Sequence, residues 1–222
     1  MGSTYLSGLL GTLKSTFRIN KATFDASGLT AARTINLPDV TGFLPIVLDR
    51  VTSTVDIVND ASEQALYSKS IAANVLSTNR LVRLSLLGDY QNESGAVRTL
   101  QIKVKLGSTT LFDDVTGNIS SSSGGANARR PFCVKLIVGN KGATNSQIAN
   151  GEFWLGSRVA ATAGIGDLAN AIGIDNDSYI APFAGSAAED TTSAKTFSVT
   201  VQHSATATTL SVRRLLAFLE LL

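Results

Sequence analysis

Several residue types are scarce in this chain of 222 residues, and each scarcity narrows what the protein can be. Cysteine occurs once, at Cys133, so no intrachain disulfide can brace the fold. Histidine also occurs once, at His203, and no Gly-x-Ser-x-Gly motif accompanies it, which argues against a hydrolase of the Ser-His-Asp type. The sequence therefore predicts a protein that is not an enzyme and that needs no cofactor.

Charge is equally sparse. Charged residues make up 16% of the chain, against about 25% in an average protein, and the formal net charge is +2. The basic pairs Arg129-Arg130 and Arg213-Arg214 are too few to hold a nucleic-acid backbone, so no nucleic-acid partner is expected. No apolar run approaches the roughly 20 residues of a membrane-spanning helix, so no membrane partner is expected either.

Strand patterns dominate the sequence from residue 51 onward. Eight segments with loops of unequal length, and no long helical pattern between them, predict an all-β fold: an antiparallel jelly-roll-like β-sandwich preceded by an extended arm with short strands. The segments are Thr54–Val58, Ala65–Ala73, Arg80–Leu87, Val97–Leu106, Phe132–Val138, Gln147–Leu155, Thr196–His203 and Leu210–Leu221. Long polar loops are predicted over Thr116–Arg130 and Thr162–Ser193.

Alternation along these segments predicts which face is dry. Residues 81–87 and 100–106 alternate apolar with polar side chains, as expected of half-buried strands. The last segment is apolar on both faces, with Leu215, Ala217, Leu219 and Leu221 on one side and Leu216, Phe218 and Leu222 on the other. A terminal strand of this kind needs cover on both faces, which predicts that Leu216, Phe218 and Leu222 lie at a subunit interface.

The first part of the chain has a different texture. Residues 1–50 are predicted to form an anchoring arm and connector, and residues 51–222 the sandwich. The arm carries apolar residues at three- and four-residue spacing, which suits either a segment folded back on its own domain or an anchor in another protein. We expect the anchor. Its predicted contacts with the particle are Tyr5, Leu6, Leu9, Leu10 and Leu13.

A short stretch of the connector carries a family resemblance. The segment TFDASGLTAARTINLPDVTG, residues 23–42, resembles one that recurs in bacteriophage tail-fibre and other virion fibre proteins. The resemblance implies a location in the virion, and a trimeric short fibre, spike or knob whose arm attaches to capsid or tail proteins. It also implies that Ile35 and Leu37 lie at the seam between three chains. Two alternatives stay open, a capsid decoration protein that cements the head and a lectin-like glycan-binding module.

A few further side chains are candidates for ligand binding, catalysis or metal binding. Trp154 and Tyr179 can stack on a sugar and are predicted receptor contacts for a host-surface glycan. Asp113 and Asp114 are adjacent in a strand and so point to opposite faces, which disfavours a shared glycosidase site. Asp175 and Asp177 are predicted to bond their own loop backbone rather than a metal. Cys133 is expected to be a buried, inert thiol, and His203 to lie at a sheet surface or interface.

Overall fold

The computed structural model describes residues 46–121, 129–156 and 179–222, all of which fall in one compact unit, Phe43–Leu222. In these ranges the regular structure is entirely β-strand. The eleven strands are β1 (Ile46–Val51), β2 (Val55–Val58), β3 (Gln64–Ile71), β4 (Leu81–Asn92), β5 (Leu100–Leu106), β6 (Thr109–Val115), β7 (Arg130–Asn140), β8 (Gln147–Leu155), β9 (Tyr179–Ala187), β10 (Lys195–His203) and β11 (Leu210–Leu221).

The strands form two antiparallel sheets. The large sheet has the order β1-β11-β4-β7-β8-β9, with β2 also paired to β11, and the small sheet has the order β3-β10-β5-β6. Early strands pair with late ones in a nested way: β1 with β11, β3 with β10, β4 with β7 and β5 with β6. This is the wiring of an eight-stranded jelly roll, so the predicted fold class is confirmed.

Strands β8 and β9 are additions to that eight-stranded plan, and they widen the large sheet beyond β7. The prediction of a loop over Thr162–Ser193 was wrong for Tyr179–Ala187, which is β9. Alanine, glycine and serine conceal the alternation there, and the segment becomes a strand because β8 offers it a complete edge for pairing. The sequence prediction also lacked β1 and β6.

The core lies between the two sheets and follows the predicted alternation. On β4 the inward side chains Val82, Leu84 and Leu86 are fully buried. On β5 the inward residues Leu100, Ile102, Val104 and Leu106 are buried as well, while the intervening polar residues remain partly exposed. Because each sheet contributes one apolar face and the two faces cover each other, the core needs no helix to shield it from water.

A β-bulge in β11 decides which of its residues face outward. Arg214 pairs with Gly88 and Leu216 with Leu87, so Leu215 is an extra residue without an opposite number on β4. Before the bulge the inward residues are even-numbered, and after it they are Ala217, Leu219 and Leu221. The predicted alternation was therefore right for residues 216–221 and wrong for Leu215, which is 41% exposed and does not join the inner face.

The break between β1 and β2 matches this bulge. β1 pairs with residues 217–221 of β11 and β2 with residues 211–214, so the two short strands act as one interrupted strand along the sheet edge. The boundary predicted after residue 50 falls inside β1, which belongs to the sandwich.

A polar network fixes the ends of β7, β8 and β9 relative to one another. The buried Gln147 side chain donates to Asn140 Oδ1 at 2.6 Å and accepts from the Glu189 backbone N–H at 2.9 Å. Asn140 in turn donates to Thr191 Oγ1 at 2.8 Å. Buried amides that satisfy one another in this way hold a strand register firmly, here the register of the added strands.

Candidate interaction face of the large sheet

An apolar row crosses the outer face of the large sheet from β11 to β9. Cross-strand pairing places its members side by side, each on the next strand. We call this set the outer row, and its members in order are Leu216, Leu87, Cys133, Trp154 and Ile180. Adjacent members are directly opposed pairs, so their side chains are neighbours on one surface.

The outer row is accessible on most of its length. Leu216 is 40% exposed and Leu87 41%, while Trp154 is 37% and Ile180 64% exposed. Ile137 and Ile148 lie on the same face and are 41% and 52% exposed. Single exposed leucines are ordinary, but four large exposed apolar side chains in one row, interrupted by the buried Cys133, are typical of an interaction surface.

Ion pairs flank the row on the side toward the end of β11. Lys135 Nζ lies 3.4 Å from Glu152 Oε1 across β7 and β8, with both side chains about half-exposed. Arg83 pairs with Glu220 across β4 and β11. Phe218 lies in the same cross-strand row as Lys135 and Glu152, half-buried beside its paired residues Ser85 and Arg50. Most charges on this side therefore have a partner within the face, and the exposed Arg50 at the β1 edge is the exception among the described residues.

A denser charge cluster borders the other side. Asp89 accepts from Arg213 Nε at 2.8 Å and Arg213 Nη2 at 2.6 Å, and also from Arg129 Nε at 2.5 Å. Arg129 Nη2 donates to Ser211 Oγ at 2.8 Å, and that hydroxyl donates to Asp56. Burial alone would raise the pKa of Asp89, but hydrogen bonds from the two guanidinium groups outweigh it and hold the pKa below its usual range.

A shallow depression of about 420 Å³ lies beside the row on the same face. Its lining comes from β4, β7, β8 and β9 and is about half polar, the polar residues being Arg83, Ser85, Lys135, Asn150 and Glu152. Trp154 is two residues along β8 from Glu152 and points the same way. The depression thus combines hydrogen-bonding groups with an adjacent aromatic ring.

The small sheet presents a different outer face. Glu63 lies over β10 and β5 and accepts from Lys105, from Lys103 Nζ at 2.9 Å and from Thr200 Oγ1 at 2.8 Å. These bonds lower the pKa of Glu63 to about 2, with Lys105 the largest contributor. Gln101 adds a further contact, donating to Asp113 at 2.6 Å. Polar side chains in mutual contact make this a face suited to water.

The structure brings together two predictions that the sequence had kept apart. Leu216, predicted at a subunit interface, and Trp154, predicted as a receptor contact, are both members of the outer row. Phe218 is on the same face, and Leu222 is half-buried just past β11, its backbone N–H bonded to Leu81 O at 2.8 Å. The roles given to these residues stay predictions.

Tyr179 is placed differently from Trp154. It pairs with the inward residue Leu155, its ring lies 6.1 Å from that of Phe153, and its hydroxyl donates to Asp114. That contact and burial raise the pKa of Tyr179 to about 12, burial being the larger cause. The Tyr179 side chain therefore connects β9 to the small sheet. Asp113 bonds to Gln101 and Asp114 to Tyr179, so the two carboxylates point to opposite faces, as predicted.

The lone histidine and cysteine are both enclosed. His203 was expected at a surface or interface, but it is 1% exposed between the sheets, with its ring 5.8 Å from that of Tyr90. Burial lowers its pKa, so it is neutral near pH 7. Cys133 is 9% exposed beneath its row neighbours, and burial raises the pKa of its thiol, consistent with the predicted inert role.

The remaining predicted positions lie outside the described ranges. These are Tyr5, Leu6, Leu9, Leu10, Leu13, Ile35, Leu37, Asp175 and Asp177. Within residues 46–121, 129–156 and 179–222, no three His, Cys, Asp or Glu side chains are grouped so as to hold a metal ion. The same ranges contain no helix long and apolar enough to cross a membrane.

Sequence inspection missed Leu87 and Ile180 as functional candidates. The alternation of residues 81–87 places Leu87 on the same strand face as Arg83 and Ser85. A leucine on this otherwise polar face is the one sequence signal that could have marked it. Ile180 was inside a predicted loop. Neither could be linked to Leu216 or Trp154 until the pairing of β11, β4, β7, β8 and β9 was known.

Comparisons with known proteins give little beyond this geometry. No family model and no curated protein matches the chain. Among solved structures, the infectious bursal disease virus VP2 subviral particle is 15% identical, with a TM-score of 0.28, over 80% of this chain and 41% of that one. A structure of the infectious bursal disease virus Gx strain is 13% identical, with a TM-score of 0.29, over 86% and 46%. Both similarities are weak, and the chain spans less than half the length of either.

Proposed function

We propose that this chain is a structural protein of a virion, which acts through contacts with other proteins and not through catalysis. The observation that carries the proposal is the outer row, an exposed apolar row on the large sheet of a jelly roll. Jelly rolls of this wiring recur in capsid and lectin domains. The resemblance of residues 23–42 to virion fibre segments supports the same class.

In its finer form, the proposal is a bacteriophage short fibre, spike or knob built from three copies. The N-terminal arm, with Tyr5, Leu9 and Leu13, attaches to the particle, and the sandwich projects from it. Three copies around one axis can each bury an apolar face that a monomer leaves in water. A decoration protein on the head would use the same elements, so the position on the particle is the distinguishing property.

Imaging of intact particles with a label on the C terminus tests the virion role. Label at the tail supports the fibre, label over the head supports the decoration protein, and unlabelled particles refute both. Deletion of residues 1–16 is the matched control for attachment. We expect the truncated protein to remain folded and assembled but to be absent from particles, whereas loss of folding would assign the arm to the core.

A glycan-binding module is a second candidate, favoured by the depression beside Trp154. Hydrogen-bonding side chains around a depression, with one aromatic ring at its edge, suit a sugar that presents hydroxyls and an apolar face. Titration with a panel of host-surface glycans, measured by isothermal titration calorimetry, tests it, because this method also works on a variant without tryptophan. Binding that Trp154→Ala abolishes and Val97→Ala retains would support this candidate, and no binding across the panel would remove it.

A further inference from the structure

We propose that the outer row is the surface through which one copy of this chain docks onto a second copy. The proposal rests on the assembly proposed above and adds the contact that makes it. Leu216 and Leu87 form one end of the docking surface, and Trp154 and Ile180 form the other. The predicted interface on β11 alone is thereby extended across four more strands.

The charges around the row favour a second copy over a charged partner. Lys135 is paired with Glu152 and Arg83 with Glu220, and Asp89 is held by two arginines. The face therefore carries few basic groups without a counter-charge, chiefly Arg50 at the β1 edge, which is fewer than a nucleic acid or an anionic membrane would need. Such faces can converge around one axis with little like-charge repulsion, because most of their charges carry a counter-charge with them.

The size of the face matches what self-association requires. Strands lie about 4.8 Å apart and rise about 3.4 Å per residue, so five strands of the length of β8 cover about 700 Å². A stable protein interface buries about 800 Å² per partner. The outer face thus has close to the needed area, and the charged groups next to the row, Lys135 and Glu152, are already paired with each other.

Trp154 is placed to be a major contributor. It lies between Cys133 and Ile180 in the row, and 37% of it remains exposed to water in the isolated chain. Tryptophan in a protein interface commonly contributes more to binding than its neighbours do. It is also the single tryptophan of the chain, so its fluorescence reports directly on whether this face becomes covered.

The test compares lysine substitutions on and off the face. Leu216→Lys places an ammonium group in the proposed contact, and we expect the dissociation constant for self-association to rise about tenfold or more, since the charge must be desolvated without a partner. Val97→Lys is the control, because Val97 is 52% exposed and lies outside the row. Light scattering across a concentration series measures both, and thermal unfolding checks that each variant is folded.

A second variant keeps the test decisive if Leu216→Lys fails to fold. Ile180 is 64% exposed on the edge strand β9, so Ile180→Lys should leave the fold intact and weaken association in the same way. In the wild type, we expect the accessibility of Trp154 to acrylamide to fall as the protein concentration rises. In Leu216→Lys and Ile180→Lys it should stay high at concentrations where the wild type is associated.

The outcomes separate this inference from the proposed function. Association that Leu216→Lys and Ile180→Lys weaken and Val97→Lys leaves unchanged supports the outer row. A wild-type oligomer that tolerates both lysines overturns the row as the contact while leaving a virion role intact. A wild-type monomer at all concentrations, with Trp154 accessible throughout or shielded only when a glycan is added, overturns docking of a second copy.

Discussion

The two outer faces of the sandwich differ in how they meet water. On the small sheet, Glu63, Lys103 and Lys105 satisfy one another at the surface. On the large sheet, leucine, tryptophan and isoleucine side chains form an exposed row between charge clusters that are already neutralised. Both sheets cover the same core, so the core cannot explain the difference. The proposed docking of a second copy would account for the difference, because it uses the large sheet alone.

The largest effect should come from shifting the register of β11 after its bulge. Deleting Phe218, which pairs with Ser85, moves the following residues by one place, so that Leu219 and Leu221 would turn outward and Glu220 would take a place in the core. We expect a loss of more than about 3 kcal/mol in the free energy of unfolding, because buried leucines contribute about 2 kcal/mol each. Urea unfolding measures it, and Leu215→Ala, which keeps the register, should cost less than about 1 kcal/mol.

Carboxylates on the two sides of the outer row should differ in importance. Asp89→Asn leaves the guanidinium groups of Arg129 and Arg213 without their counter-charge in a largely buried cluster, and we expect a loss of about 3 kcal/mol. The matched change on the exposed pair, Glu152→Gln, should cost less than about 1 kcal/mol. Equal losses in urea unfolding would contradict the claim that the Asp89 cluster is a structural border of the row.

Lowering the pH should test how much Glu63 and its lysine partners on the small sheet contribute to stability. The folded-state pKa of Glu63 is about 2, below the 4.5 of a free glutamate, so its stabilisation is fully present above pH 4.5 and is lost as the pH falls from 4.5 toward 2. We expect about 1 kcal/mol or less, since the pair is accessible to water. Unfolding measured across this range should be less pH-dependent in Glu63→Gln than in the wild type, and an unchanged dependence would refute the assignment.

The smallest effect should be the change in monomer stability when the outer row is altered at its edge residue, Ile180. Ile180→Ser should change the unfolding free energy of the monomer by no more than about 0.5 kcal/mol, because the side chain is 64% exposed. The next residue, Ala181, is 7% exposed and faces inward, so Ala181→Asp should destabilise clearly more. Similar results for the two would mean that β9 is not held in the register described.

Much of the fold could be predicted from the local pattern of apolar and polar residues. The alternation of residues 81–87 and 100–106 predicted both strands and their buried faces, and the bounds predicted for β8 and β11 are those observed. The eight-stranded jelly roll was predicted from such segments. β9 was missed because alanine, glycine and serine carry little hydrophobic contrast, and β6 because Asp113 and Asp114 obscure its period.

By itself, then, the sequence determined the fold class and most inward-facing residues, because a period of two is a property of neighbouring residues in the chain. The tertiary structure decided everything that depends on which strand lies beside which. It placed an unpaired Leu215 in β11, turned Leu216 outward, and set it in one row with Trp154 and Ile180, contributed by strands far apart in the sequence. No local pattern encodes such a row, because register and neighbour are fixed only when distant strands pair.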